Sequence, residues 1–115
     1  MDRVELLNTL QRALGDSTGV FVNEGVEERE YLAALASDIR SNLCEPFLLS
    51  AQVTAPGFPD KPIGQLISGY CLAQRGGYWL VYCPAEHQFY CFWGTHQDNL
   101  GAPGVRGSPL YCWSA

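Results

Sequence analysis

The chain has 115 residues, a size typical of a single domain, and 47% of them are hydrophobic while 17% are charged. The formal net charge is −5 and Lys61 is the only lysine. Binding to nucleic acid or to an anionic membrane is therefore disfavoured, because both need a surplus of cations.

Two amphipathic helices are predicted at the N-terminal end. Apolar residues recur at three- and four-residue steps over residues 2–14 and again over 26–43. Residues 16–25 connect the two segments, and "GVFV" within them has the character of a short extended piece. Aspartate at position 2 and glutamates in the first turn of the second segment suit the positive ends of helix dipoles.

Strands are predicted after Glu45, where the helical period disappears. A proline-rich loop at 55–62 and a long loop at 95–108 separate some of them. The expected fold is α+β, a single domain over 1–115, with the two helices on one face of an antiparallel sheet of four to five strands. The predicted strands are 47–54, 66–74, 78–83, 88–94 and, as a short last strand, 109–115.

The turns fix an expected strand pairing. A two-residue turn at Gly76–Gly77 would place Cys71 opposite Tyr82, and a four-residue turn at 84–87 would place Tyr82 opposite Phe89. Alternation along the strands then makes both faces of the sheet apolar. Two helices can cover one face only, so the other is expected to contact a partner or a second copy. Alternatively, the strands bend and the loops 55–62 and 95–108 fold over it.

The five cysteines are an odd number without a CxxC pair, and they are interpreted as core residues. Membrane-helix and signal-peptide patterns are absent from the sequence, so a cytoplasmic protein is expected.

Three patterns suggest chemistry but lack its full signature. Cys91 and His96 could form a thiol–imidazole pair, although nothing nearby would orient the imidazole. The possible metal ligands lack the usual spacing of paired ligands, and no metal or cofactor is predicted. The loop "GAPGVRGSP" has glycines but lacks the order and the lysine of a phosphate-binding loop. The possible metal ligands are His87, His96, Asp98 and Cys112.

The acidic surplus lies in the first part of the chain. Residues 1–45 hold nine acids and four arginines, and nine minus four accounts for the whole net charge. Acids on the second helix are either its solvated side or a surface that steers a basic partner. These acids are Glu27, Glu28, Glu30 and Asp38.

The segments "GYWLVYCPAEHQFYCFWG" (77–94) and "LGAPGVRGSPLYCWSA" (100–115) resemble small cytosolic immunity proteins of bacterial polymorphic-toxin and contact-dependent systems. The resemblance implies a non-enzymatic protein that binds and neutralises a cognate toxin, a partner whose basic cleft an acidic protein would fit.

The leading hypothesis is therefore an immunity or inhibitor protein with no catalytic residue. The alternatives are a homodimeric module that binds a small ligand, and an enzyme that uses Cys91 or His96. The partner-binding candidates are the acids Glu27, Glu28, Glu30 and Asp38, the aromatic anchors Trp79, Tyr90, Phe92 and Trp93, and the loop cation Arg106.

Overall fold

A computed structural model describes all residues from Met1 to Ala115. It confirms the α+β prediction: two N-terminal helices precede a mostly antiparallel sheet. The helices are α1 (Arg3–Ala13), α2 (Glu28–Ser41) and α3 (Pro109–Ser114). The strands are β1 (Leu43–Val53), β2 (Leu66–Arg75), β3 (Tyr78–Cys83), β4 (Gln88–Trp93), β5 (Gly101–Ala102) and β6 (Arg106–Gly107).

The sheet closes on itself into a barrel. The strand order is β3-β2-β1-β5-β4, and β3 also pairs with β4, so these five strands form a ring. Strands β1 to β4 form an antiparallel meander, and β5 completes the ring by pairing parallel to β1 and antiparallel to β4. The short strand β6 pairs with β4 at the side.

The barrel interior corresponds to the apolar face of the predicted sheet that the two predicted helices do not cover. It holds twelve buried apolar residues, none of them helical. The expectation that this face is exposed to a partner is wrong, because the strands curve round it and the two long loops contribute to it. The loop residues are Phe58 from 55–62, and Leu100 and Ala102 from 95–108.

The outer side of β2, β3 and β4 carries the second core. Here α1, α2 and α3 pack against the sheet, and fourteen residues are buried, among them Leu6, Leu10, Ile39 and Leu80. The outer side of β1 has no such cover, and its residues alternate between exposed and buried from Ser50 to Val53. The helical layer therefore leaves one side of the barrel accessible.

The expected last strand at 109–115 is a helix, α3. Ser108 caps it by accepting a hydrogen bond from the amide of Tyr111, and Pro109 occupies the first turn, where its missing N–H costs nothing. Leu110 and Trp113 lie on the same side and are buried, as helical spacing requires.

The strand pairing is partly as expected. The β3–β4 register agrees with the prediction, including Tyr82 opposite Phe89. In β2 the pairing shifts at Leu72, so Cys71 lies opposite Val81 instead of Tyr82. Because of this irregularity, the β2 residues that precede Leu72 face the side of the sheet opposite to the predicted one. Cys71 therefore points into the barrel.

Gly69 allows β2 and β3 to approach each other closely. A Cβ atom at this position would lie 2.6 Å from the carbonyl oxygen of Tyr82 and 2.7 Å from a methyl group of Val81. The barrel wall therefore has no room for a side chain here.

We predict that Gly69→Ala lowers the free energy of unfolding by about 1–3 kcal/mol, because the added methyl group overpacks the wall. Gly77→Ala is the control, since its Cβ would meet its nearest neighbour at an ordinary 3.6 Å. Urea unfolding followed by tryptophan fluorescence measures both variants. Equal stability of the two would show that the close approach at Gly69 is not a constraint.

Candidate protein-binding surfaces

The first turn of α2 presents carboxylates that the protein does not pair with cations. The Glu27 side chain caps the helix and accepts the amide of Glu30 at 2.6 Å. Glu28 and Glu30 are exposed, and none of the three takes part in the four ion pairs of the structure. Their carboxylates are therefore exposed to solvent without a cation partner in the chain.

The connector before α2 adds exposed apolar side chains, a feature the sequence analysis missed. Phe21 is 77% exposed and Val26 is 46% exposed. The neighbouring Val20 packs against the helical core, which orients Phe21 the other way. No strand forms at "GVFV". We call residues 21–30 the Phe21 segment; it combines an aromatic side chain with four acids, Glu24, Glu27, Glu28 and Glu30, and one arginine.

Asp38 makes its contacts within the chain. Its carboxylate pairs with Arg75 of β2 and accepts the indole N–H of Trp113 of α3 at 2.7 Å. Asn42 also donates to it, at 3.3 Å. Asp38 therefore links α2 to the barrel and to the C-terminal helix.

Two of the expected aromatic anchors lie inside the barrel. Tyr90 and Phe92 are completely buried, so a partner cannot contact them while the barrel is closed. Trp79 is half-buried, and its indole N–H donates to the carbonyl oxygen of Gly94 at 2.9 Å. Trp93 is 42% exposed and remains accessible beside Tyr78, with 6.0 Å between the ring centres.

Arg106 belongs to a polar network at one end of the barrel. It pairs with Asp60 at 2.7 Å and lies over the ring of Phe58, 5.0 Å from its centre. In the same network Glu86 pairs with Lys61 at 2.8 Å and accepts the hydroxyl of Tyr90. Arg106 thus meets an acid of its own chain.

A cleft of about 410 Å³ lies along the uncovered side of β1. Successive residues of β1 direct their backbone groups to opposite sides of the strand. The amide of Val53 donates to the carbonyl oxygen of Gln65 at 2.8 Å on the β2 side, whereas the amide of Gln52 donates to the carbonyl oxygen of Leu100 at 3.1 Å on the other side. By alternation, the backbone groups of Leu48 and Ser50 point away from β2, and β5 does not extend far enough to pair with them. This open edge is flanked by two exposed side chains, Leu48 at 65% and Leu66 at 62%.

A second cleft of about 340 Å³ brings together Asp16, His87 and Ser108. Their hydrogen bonds do not connect them as a catalytic relay would require. Asp16 accepts the amide of Thr18 at 2.9 Å, and the Ser108 hydroxyl donates to Thr18 at 3.0 Å while capping α3. The three side chains are therefore neighbours without an activated nucleophile.

The possible thiol–imidazole pair of Cys91 and His96 is not assembled. Cys91 is completely buried in β4, and burial raises the pKa of its thiol to about 11. His96 lies in the exposed loop after the strand. A buried, protonated thiol is a poor nucleophile.

The possible metal ligands are likewise dispersed. His87 and His96 lie on different turns, Asp98 is exposed, and Cys112 is buried in α3. No group of three or more His, Cys, Asp or Glu side chains converges as a metal site would require.

None of the helices combines the length and the apolar character needed to cross a membrane.

Comparison with protein-family models, with curated proteins and with solved structures finds no match to this chain.

The network around Glu86 gives an expected pH dependence of stability. Hydrogen bonds from Lys61 and Tyr90 lower the pKa of Glu86 below its ordinary value of 4.5. A lowered pKa means that the ionised form stabilises the fold. The stabilisation that Glu86 provides is complete when the pH is above 4.5, and it is lost as the pH falls through the lowered pKa of the folded protein.

We predict that Glu86→Gln lowers the stability by about 1 kcal/mol at pH 7 and that the difference from the unmodified protein shrinks towards pH 3. Glu28→Gln, the same change at an exposed acid without a cation, serves as the control. Thermal unfolding between pH 3 and 7 provides the measurement. A Glu86→Gln deficit that persists unchanged at pH 3 would contradict the assigned network.

Proposed function

We propose that this protein binds a cognate bacterial toxin and neutralises it in the cytoplasm, without catalysing a reaction. The observation that carries the proposal is the exposure of Phe21 among carboxylates that no cation of the chain pairs with. An exposed phenyl ring forgoes the ~1.5–3 kcal/mol that burial would provide, and a protein partner that covers it recovers this free energy.

The electrostatics of the Phe21 segment favour a basic partner. It holds four acids and one arginine, Arg29, which leaves a charge of −3 over ten residues. Opposite charges accelerate association, and a buried aromatic side chain typically supplies much of the binding energy. Toxins that act on nucleic acid have basic clefts, so the segment suits occlusion of such a site.

We predict that Phe21→Ala weakens binding to the toxin at least tenfold, mainly through faster dissociation. Because Phe21 is exposed, the variant should keep its stability. Ile63→Ala, a similarly exposed apolar residue outside the Phe21 segment, is the matched control. The partner is sought by co-purification with the products of adjacent genes, and affinity is measured by surface plasmon resonance together with inhibition of the toxin.

Glu28→Lys combined with Glu30→Lys should reduce the association rate constant and its dependence on salt, leaving dissociation less affected.

The proposal fails if no product of an adjacent gene binds the protein. If a partner binds but Phe21→Ala and Ile63→Ala have equal affinities, the Phe21 segment is not the binding surface.

The open edge of β1 favours a second candidate, a homodimer formed by pairing of two such edges. Leu48 and Ser50 offer unpaired backbone groups; β1 holds no lysine, and its one proline, Pro46, lies two residues before Leu48. Two copies could thereby continue the sheet across the contact and enclose the cleft as a ligand site.

For this candidate we predict a concentration-dependent dimer in sedimentation equilibrium, which Leu48→Lys converts to a monomer by placing a charge in the contact. Val4→Lys, a change at an exposed apolar residue of α1, should leave the dimer intact. A protein that stays monomeric at all concentrations would exclude the homodimer.

A further inference from the structure

Two cysteines from different strands lie side by side where α2 leads into β1. The Sγ atoms of Cys44 and Cys71 are 3.8 Å apart, although 27 residues separate them in the chain. Cys71 is completely buried in β2, whereas Cys44 is partly exposed at the start of β1. Cys44 is therefore the more accessible of the two residues, and the Cys71 sulfur is placed to react with the Cys44 sulfur next.

We propose that Cys44 and Cys71 form a reversible disulfide by exchange with a low-molecular-weight disulfide such as glutathione disulfide. The proposal is independent of the toxin-binding function. It assigns to the barrel a modification site that the sequence analysis, which interpreted all five cysteines as core residues, did not anticipate.

The local backbone can accommodate the bond. Disulfide formation requires the sulfur atoms to approach to about 2.05 Å, so the present 3.8 Å must shorten by about 1.8 Å. The β1–β2 register is irregular between Leu43 and Phe47, which are the residues around Cys44. A segment outside the regular ladder can shift without breaking a series of strand hydrogen bonds.

The exchange occurs in two balanced steps. The Cys44 thiolate attacks one sulfur of glutathione disulfide, forming a mixed disulfide and releasing one glutathione thiolate. Contact with Cys44 raises the pKa of Cys71 in the reduced protein, and this cause disappears once Cys44 is held in the mixed disulfide. Cys71 then gives up its proton as its sulfur attacks the Cys44 sulfur, and the second glutathione departs as the thiol that carries this proton. The two protein thiols are oxidised to one disulfide, and one glutathione disulfide is reduced to two glutathione molecules.

Accessibility assigns the first step to Cys44, the only one of the five cysteines that is not buried. The hydrogen bond between the two sulfur atoms lowers the pKa of Cys44, while the same contact and burial raise the pKa of Cys71. The remaining cysteines, Cys83, Cys91 and Cys112, are buried, and burial raises the pKa of each. Access and ionisation thus single out Cys44 among the five.

Proteolysis with trypsin separates this pair from the other cysteines. Trypsin cleaves after Arg40 and Arg75 but not at Lys61, which precedes proline, so the peptide 41–75 contains Cys44 and Cys71 alone. Cys83 and Cys91 lie in the peptide 76–106, and Cys112 lies in 107–115. A loss of two hydrogens from the peptide 41–75 therefore identifies the bond.

The experiment treats the reduced, folded full-length protein with glutathione disulfide, then unfolds it in acid, alkylates it with N-ethylmaleimide and measures its mass. We expect alkylation to fall from five cysteines to three, since five minus the bonded pair leaves three, with the mass loss in the peptide 41–75. Dithiothreitol should restore all five.

Two variants test the assignment. Cys44→Ser, at the partly exposed position, should leave the four remaining cysteines fully alkylated, whereas Cys83→Ser should still form the bond. Thermal unfolding verifies that both variants fold. The proposal is overturned if the peptide 41–75 keeps both thiols, if Cys44 stops at a stable mixed disulfide, or if the mass loss appears in another peptide.

Discussion

The pairing of β5 with both β1 and β4 is the constraint on which the rest of the structure depends. Only two residues, Gly101 and Ala102, close the ring. Their pairing converts a sheet with two apolar faces into a barrel with an interior and an exterior. Tyr90 and Phe92 become core residues as a result, and the helices need to cover only the outside.

The charges divide into two groups with different roles. Asp38, Asp60 and Glu86 each pair with a cation of the chain, and they join separate elements of the fold. The carboxylates of the Phe21 segment have no cation and belong to the same ten-residue stretch, 21–30, as the exposed Phe21. Acids with and without a cation of the chain thus occupy different places, although both groups contribute to the same net charge.

The sequence predicted those features that local patterns determine. Helical periodicity located α1 and α2, and the turn at 84–87 set the correct β3–β4 register. The shift at Leu72 carries no such signal, because a bulge needs neither glycine nor proline. Strand β5 is too short for alternation to be visible, so the sequence could not decide between an exposed second face and the alternative of bent strands covered by the loops 55–62 and 95–108. The structure confirms that alternative, and Tyr90 is buried as a result. Phe21 was overlooked because an apolar run in a connector resembles a strand; its exposure depends on Val20 packing inward.

The late position of β5 also affects how the chain matures on the ribosome. Strand β1 is synthesised before its parallel neighbour β5, which lies some fifty residues further along the chain. Until β5 has been synthesised, the future barrel lining is open to chaperones and to other nascent chains. Loss of β5 should therefore be far less well tolerated than its distance from the Phe21 segment suggests.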